Sequence, residues 1–220
     1  MKTEFRPIEP GELYELLSAQ YGDLGWWPAD SATEMMTGAI LTQNTAWSSV
    51  ERAIAAFDGR LDARFILDAE PGELAAIIRP AGYYNIKAER LKALMRWFEG
   101  YGFDAAATAD VPTARLRGEL LAIKGIGGET ADSILVYALG RISFVIDAYT
   151  RRLMSRLGHE LPDGYEAQRL WMEARVPREL SVYNQFHALI VEHCKRFCVK
   201  SKPLCESCPL SGRCARKGLE

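Results

Sequence analysis

Residues 120–132 read Leu-Leu-Ala-Ile-Lys-Gly-Ile-Gly-Gly-Glu-Thr-Ala-Asp, and this stretch is the clearest sequence signal for the fold. Apolar residues recur at helical spacing on both sides of it, so it joins two helices through a turn that contains three glycines. Glycine adopts positive φ and lets the backbone approach another group closely. We therefore predict a helical hairpin here and further helices around it.

The hairpin turn suits two roles, a tight connection between helices or a grip on a DNA phosphate. Its second helix begins around Gly127, Gly128 and Thr130, and the first amides of a helix lack carbonyl partners and attract anions. Lys124 adds a positive charge, and Gly125 leaves room for close approach. Such a contact would position DNA without reading its sequence. From these residues alone both roles stay open.

Helical spacing of apolar residues continues over most of the chain, whereas strand-like alternation is nearly absent. The segments with this spacing are 11–21, 31–42, 47–57, 86–98, 129–139, 148–157 and 181–194. Ser31 and Glu34 form a capping box at the start of one segment, and Gly140 and Gly158 are placed to end two others. The predicted fold class is all-α.

Length and composition indicate an ordinary globular protein. With 220 residues, 48% of them hydrophobic, the chain can bury a sizeable core without disulfides. No apolar run approaches the roughly 20 residues needed to cross a bilayer, and the first residues lack the apolar segment of a signal peptide. We expect a cytoplasmic protein that makes no use of a membrane, and nothing in the sequence indicates more than a monomer.

The net charge of -2 argues mildly against a nucleic-acid partner, but the charge is unevenly distributed. Between Lys195 and Lys217, seven basic residues stand against the single acid Glu206. Arg151, Arg152 and Arg156 add to this basic region upstream. A basic C-terminal third fits either a DNA-facing surface or a solvated tail.

All five cysteines lie close together near the C-terminus, which favours a metal site over a disulfide framework. Cys198, Cys205, Cys208 and Cys214 are separated by six, two and five residues, so four thiolates can reach one centre. Zinc and an iron-sulfur cluster both accept four thiolates, although structural zinc sites usually have two short knuckles. Cys194 falls outside the pattern and is expected to pack as a small hydrophobic residue.

One carboxylate follows an apolar run at a helix start. Residues 142–146 end in Asp147, which directly precedes the segment 148–157. An aspartate at this position caps the helix, which is worth about 1 kcal/mol and requires no chemistry. The same carboxylate could instead stabilise a developing positive charge on a substrate. Taken alone, the position favours the cap.

These motifs together resemble the endonuclease III family of helix-hairpin-helix DNA glycosylases. The resemblance rests on the cysteine spacing, on Gly125-Ile126-Gly127 and on Asp147, and it extends from about Thr33 to Cys214. It implies that the four patterned cysteines hold a [4Fe-4S] cluster. It also implies that Asp147 stabilises the sugar of a flipped-out nucleotide and orients the attacking water.

The resemblance further implies two helical domains with a DNA-binding cleft between them. A six-helix domain with the helix-hairpin-helix would span 30–140. A second helical domain would combine 1–29 with 141–220 and carry the cluster. The expected partner is double-stranded DNA with a damaged base, which places the protein at the nucleoid.

Two positions resemble family sites for strand cleavage and for DNA insertion. Strand-cutting members use a Schiff-base lysine where this chain has Glu129, and glutamate cannot form that imine. We therefore predict a monofunctional glycosylase. Gln43, in the run 40–47, matches the family residue that is inserted into the DNA stack.

The expected base pocket resembles that of the 3-methyladenine glycosylase branch, in which two aromatic side chains sandwich the base. Trp26 and Trp47 are the candidate aromatics, and Pro28 and Tyr149 are expected beside them. Aromatic faces attract a cationic alkylated purine, which is already a good leaving group. The alternative interpretation is that these tryptophans are ordinary core residues.

Three alternatives remain from the sequence. The first is an endonuclease III-like glycosylase acting on oxidised pyrimidines or on mismatched uracil or thymine. The second is a non-enzymatic DNA-binding iron-sulfur protein in which Asp147 only caps a helix. The third is an electron-transfer protein, which leaves the hairpin unexplained.

Overall fold

The computed structural model describes residues 6–26 and 29–219, and within these ranges the chain is helical with no β-strand. The α-helices are α1 Pro10–Tyr21, α2 Ala32–Leu41, α3 Trp47–Ala55, α4 Ala63–Asp68, α5 Pro71–Ile77, α6 Tyr84–Glu99, α7 Thr113–Ala122, α8 Gly128–Ser133, α9 Ala148–Leu157, α10 Tyr165–Glu173 and α11 Leu180–Arg196. The all-α prediction is confirmed. Among the described residues, no helix has the length and apolarity that crossing a membrane requires.

Local sequence signals set several helix ends as predicted. The Ser31 hydroxyl accepts the backbone N–H of Glu34 at 3.1 Å and caps α2. Gly158 ends α9 in the left-handed conformation with φ of 108°. Each predicted helical segment lies on a helix of the structure. The last part of segment 129–139, Ile134–Ala138, continues α8 as a π-helical turn.

The chain divides into two compact units. Trp27–Arg141 form one, which we name the central unit. Met1–Trp26 and Ile142–Glu220 form the other, the terminal unit. Each unit contains its own cluster of buried apolar side chains.

The core of the central unit is built on α6, against which α2, α4 and α5 pack. Leu91 and Leu94 of α6 are fully buried, as is Ile40 of α2, the helix that packs against α6. Seven α-helices, α2 to α8, lie in the described part of this unit. Pro71 stands at the start of α5, where its fixed φ suits the first position of a helix.

The hairpin is formed by α7 and α8 of the central unit. Arg117 on α7 donates two hydrogen bonds to the Asp132 carboxylate on α8, at 2.8 and 3.2 Å, and joins the two helices. Gly125 in the turn has φ of +89°, a conformation that favours glycine. Ile126 is buried and anchors the turn to the core. The hairpin is therefore fixed by both its packing and its ion pair.

The terminal unit is centred on α11, which packs against α1 and α9. Its core includes Leu13, Leu153 and Phe186, all essentially inaccessible to solvent. The Tyr21 hydroxyl on α1 lies 2.9 Å from Nδ1 of His193 on α11, so the two ends of the chain meet in one core. After α11 the chain forms only short 3-10 turns up to the C-terminus.

Candidate functional site

Asp147 lies at the start of α9, where it was predicted as a helix cap. One carboxylate oxygen, Oδ1, accepts the backbone N–H of Thr150 at 2.7 Å, so the predicted cap is confirmed. The other oxygen, Oδ2, lies 3.5 Å from Nε2 of His187 on α11. Only 8% of Asp147 is exposed. The cap uses one oxygen and leaves the other for a second role.

The electrostatic surroundings of Asp147 favour its charged form. Burial raises the pKa of its carboxyl group, but the hydrogen bond and charge of His187 and the bonds from Thr150 lower it by more. The resulting pKa lies below the ordinary value for aspartate. A nearly buried carboxylate that stays ionised at neutral pH is suited to stabilising a positive charge nearby.

Trp26, a predicted pocket residue, lies beside the histidine that contacts Asp147. The Trp26 and His187 rings meet edge to face, with centroids 6.3 Å apart and planes at 89°. The Lys195 ammonium lies 5.5 Å from the centre of the Trp26 ring. His187 was not a candidate in the sequence, where it stands in an apolar helical segment without a motif. Pro28, the other pocket candidate nearby, lies outside the described residues.

The other two pocket candidates have distinct surroundings. Tyr149 is half-buried on α9, and the Arg152 guanidinium lies 4.9 Å from the centre of its ring. Trp47 begins α3, is half-buried and packs against the core of the central unit. Trp47 and Trp26 thus belong to different units.

Gln43 follows α2 and is bonded to the hairpin. Its side-chain amide donates to the carbonyl of Gly125 at 3.1 Å and to the hydroxyl of Thr130 at 3.0 Å. Its carbonyl oxygen accepts a hydrogen bond from Arg90 of α6 at 2.5 Å. The structure therefore brings the predicted wedge and the predicted phosphate-binding turn together. It adds Arg90, which no motif in the sequence singled out.

The remaining hairpin candidates differ in exposure. Lys124 and Gly127 are exposed, and Gly128 begins α8. Glu129 is exposed in the first turn of α8. Thr130 is buried, and its hydroxyl is bonded to Gln43. The exposed part of the hairpin is therefore the turn itself and the start of α8.

The four patterned cysteines line one cavity in the terminal unit, which is partly open to solvent. Cys198 accepts a hydrogen bond from the Arg156 guanidinium at 3.3 Å. Nε2 of His193 lies 3.5 Å from the sulfur of Cys208. Cys205 and Cys214 complete the set of lining thiols.

Burial, neighbouring thiols and an arginine shift the pKa values of the thiols in this cavity. Burial and the neighbouring cysteines raise the pKa of Cys208 and Cys214. Hydrogen bonds from Cys194 and the Arg156 guanidinium lower the pKa of Cys198. Cys194 itself is fully buried and is not among the lining residues, as expected for a packing residue.

The donor set of this cavity is four thiols, which is the ligand set that both a [4Fe-4S] cluster and tetrahedral zinc accept. In the described part of the chain, no three His, Cys, Asp or Glu side chains are arranged as a site for a single metal ion. The residues present therefore fit a metal group that is held by four thiolates.

Comparison of the amino-acid sequence with known proteins identifies the family of the chain. A family model described as HhH-GPD superfamily base excision DNA repair protein matches residues 37–175. A Methanocaldococcus jannaschii protein provisionally named a DNA repair glycosylase is 48% identical over 212 residues, covering 94% of this chain and 96% of the relative. Endonuclease III of Thermotoga maritima is 25% identical over 192 residues, covering 82% and 81%.

Solved structures share the fold. The 3-methyladenine DNA glycosylase MagIII of H. pylori, bound to 1,N6-ethenoadenine, has a TM-score of 0.74 at 27% identity and covers 85% of this chain and 97% of its own. Endonuclease III trapped in a covalent intermediate with DNA has a TM-score of 0.77 at 20% identity and covers 92% of each chain. The second likeness concerns the fold alone.

Proposed function

Because the chain belongs to the HhH-GPD superfamily of base excision DNA repair proteins and is a DNA glycosylase, we propose that it releases alkylated purines such as 3-methyladenine from double-stranded DNA and leaves the strand uncut. The observation that carries this proposal is Asp147, a nearly buried carboxylate at the start of α9 whose Oδ1 is held by the N–H of Thr150 and whose Oδ2 lies beside His187. We place this activity in the cytoplasm at the nucleoid, in a protein working as a monomer.

Asp147 acts on the sugar of the flipped-out nucleotide. Breaking the N-glycosidic bond develops positive charge on the sugar, and an ionised carboxylate beside it lowers the energy of the transition state. Oδ1 is held by the N–H of Thr150, which fixes the carboxylate in place. Oδ2, on the side of His187, orients the water that attacks the sugar and takes up its proton.

Glu129 supports the absence of strand cutting. Strand cleavage through a covalent intermediate requires an amine that forms an imine with the sugar. Glu129 stands at the position of that lysine, exposed in the first turn of α8. A carboxylate there cannot form the imine, and this favours base release by hydrolysis.

Alkylated purines are favoured as substrates by Trp26 and by one of the solved relatives. A cationic purine is attracted to the face of an aromatic ring, and Trp26 stands beside the histidine that contacts Asp147. The 27% identical relative is a 3-methyladenine glycosylase. The identity to an endonuclease III supports a second candidate, a glycosylase for oxidised pyrimidines or mismatched uracil or thymine.

DNA is held by the hairpin in this proposal. The exposed turn presents Lys124, Gly125 and Gly127, and the first amides of α8 follow from Gly128. These amides and the lysine charge suit one phosphate of the DNA backbone. Gln43, bonded to the same turn, then fills the space that the flipped nucleotide leaves.

We also propose that Cys198, Cys205, Cys208 and Cys214 hold a [4Fe-4S] cluster, since all four line the same cavity. When bound, the cluster supplies four iron-thiolate bonds across the C-terminal loop and a centre able to exchange one electron. Arg156 supports this site by donating to the sulfur of Cys198 and to backbone carbonyls of the loop. Its positive charge offsets the negative charge that four thiolates bring.

The test incubates the purified protein with duplexes that each carry one 3-methyladenine, uracil or thymine glycol, and scores base release separately from strand cleavage. We expect release of 3-methyladenine without strand cleavage and no release by Asp147→Asn. Release of uracil or thymine glycol instead would move the assignment to the second candidate. Strand cleavage by the wild type before added base or heat would contradict the monofunctional assignment.

A matched variant tests the role of position 129. Glu129→Lys returns an amine to that position, so borohydride should trap a protein-DNA adduct with the variant and none with the wild type. Trapping of the wild-type protein would show that another amine in the chain serves as nucleophile.

A further inference from the structure

We propose that Arg90 is a positioning residue, which holds Gln43 against the hairpin turn so that phosphate binding and insertion into the DNA stack are performed by one preorganised unit. This inference rests on the proposed role of Gln43 as the residue that fills the gap left by the flipped nucleotide. It concerns side chains of the central unit only.

The hydrogen bonds of Gln43 show how completely its side chain is held. Both protons of its amide nitrogen are directed to hairpin acceptors, the carbonyl of Gly125 at 3.1 Å and the hydroxyl of Thr130 at 3.0 Å. Its oxygen receives the Nη1 donor of Arg90 at 2.5 Å. Arg90 thus completes a set that fixes the amide in one orientation, since exchanging its oxygen and nitrogen would lose the bonds to the Gly125 carbonyl and to Arg90.

Arg90 also packs on the turn that holds the phosphate in our proposal. A Cβ placed on Gly125 would overlap Nε of Arg90 and lie 2.9 Å from its Cδ, closer than real Cβ contacts come. The Arg90 side chain therefore occupies the space that a glycine leaves open. Gly125 is required both for its positive φ and for this close approach.

A second cation on α6 braces the base of the same loop. Nζ of Lys87 is buried and donates to the carbonyls of Leu41 and Ala81 and to the hydroxyl of Thr45. Lys87 and Arg90 lie three residues apart, so both project from one face of the helix. Lys87 fixes the two ends of the segment 41–45, and Arg90 fixes its tip at Gln43. The loop is thereby held at three points before any DNA arrives.

Preorganisation of this kind has a specific kinetic consequence. Without such bonds, a glutamine side chain with several rotatable bonds would lose conformational entropy when it enters the DNA stack. That loss would raise the free energy of the flipping step. Removing Arg90 should slow flipping while leaving the phosphate contacts of the turn in place. The two effects can be measured separately.

The experiment compares Arg90→Met, Gln43→Ala, the double variant and Arg96→Ala. Methionine keeps the alkyl packing of Arg90 and removes its donors. Arg96→Ala is the matched control, because it removes one exposed arginine from the same helix. Each protein is titrated with a duplex that carries a tetrahydrofuran abasic-site analogue next to 2-aminopurine, whose fluorescence rises when stacking is disrupted. Affinity for undamaged duplex, its salt dependence and the thermal midpoint are recorded in parallel.

We expect Arg90→Met and Gln43→Ala each to lose most of the fluorescence rise, with no further loss in the double variant, because the two residues act as a unit. Base release should slow by about 10-fold in both. Affinity for undamaged duplex should match that of Arg96→Ala within about twofold. Arg90→Lys, which retains a charged donor, should recover part of the fluorescence rise. Arg90→Leu, which also lacks the donors, serves as the second variant if Arg90→Met does not fold.

Other results would overturn the inference in distinguishable ways. A normal fluorescence rise in a variant that lacks the Arg90 donors, together with its loss in Gln43→Ala, would refute the role of Arg90 and leave the proposed wedge intact. A normal rise in Gln43→Ala would refute the wedge itself. A fall in the salt slope of about one for Arg90→Met, absent from Arg96→Ala, would identify Arg90 as a phosphate ligand instead.

Discussion

Asp147 combines a helix cap and a proposed catalytic carboxylate in one side chain, and the two roles can be separated. Asparagine caps a helix about as well as aspartate, so Asp147→Asn should retain the bond to Thr150 and nearly all of the stability. It removes the negative charge, so we expect base release to fall at least about 100-fold. Single-turnover assays and thermal unfolding of both proteins measure this. Activity near the wild-type rate would leave Asp147 with only its structural role.

His187 provides a prediction about pH. Its hydrogen bond and charge lower the pKa of Asp147, so removing them should raise that pKa. In His187→Phe, which keeps a ring against Trp26, the carboxylate should become protonated at higher pH than in the wild type. The acid limb of the pH profile of single-turnover base release should therefore move to higher pH. An unmoved limb would show that His187 does not govern the ionisation of Asp147.

At the residue scale, the sequence identifies functional groups that belong to local motifs and misses those that act through space. Asp147 stands out because an apolar run leads into it and a helix follows. His187 contacts Asp147 from α11, and Arg90 contacts Gln43 from α6. The two members of each pair are about 40 residues or more apart in the sequence. Apolar periodicity places a residue on a helix face but does not identify its partner on another helix. Contacts of this kind require coordinates.

Among the secondary-structure elements, the hairpin turn gives the clearest prediction, because Gly125 and Gly127 differ in φ and in the space around their Cα atoms. Gly125 has φ of +89° and lies against Arg90, so Gly125→Ala should destabilise the protein by about 1 to 3 kcal/mol. Gly127 has φ of -93° and no atom within 4 Å of an added Cβ, so Gly127→Ala should fold with little change. Its methyl group would face the phosphate in our proposal, and DNA affinity should fall. Urea unfolding and DNA titration of the two variants separate these effects.

At the element scale, capping and periodicity predicted helix positions well because both are local properties. Ser31 and Gly158 mark ends that the structure confirms. The helices α4 and α10 were not predicted. α4 has only six residues, and within α10 only Met172 is buried, so neither gives a clear apolar pattern. The π-helical turn Ile134–Ala138 was also missed, because five residues cannot distinguish one helical period from another.

For the whole molecule, the segment whose order requires more than apolar burial is the C-terminal loop of the terminal unit. The loop after α11 contains only short 3-10 turns, and Leu210 is its main buried apolar residue. So little apolar burial contributes only a few kcal/mol and does not by itself order a segment of this length. Bonds from the patterned cysteines to a shared centre would supply the missing constraint, as metal binding does in other small metal-bound segments.

The last prediction therefore concerns Cys208→Ser and its matched control Cys194→Ser. Cys208 lines the cavity, whereas Cys194 is buried outside it and donates to the carbonyl of Tyr149. The wild type and Cys194→Ser should be brown and contain iron with acid-labile sulfide. Cys208→Ser should lose most of the iron and sulfide, because serine is a poor ligand for iron. Its C-terminal loop should also become sensitive to limited proteolysis.

Three outcomes would contradict parts of this prediction. Equal iron content in both variants would exclude Cys208 as a ligand. Colourless wild-type protein with stoichiometric zinc would show that the site holds zinc and not the cluster. A loop that resists proteolysis after metal loss would show that its order comes from protein contacts such as those of Arg156 with the carbonyls of residues 198–200.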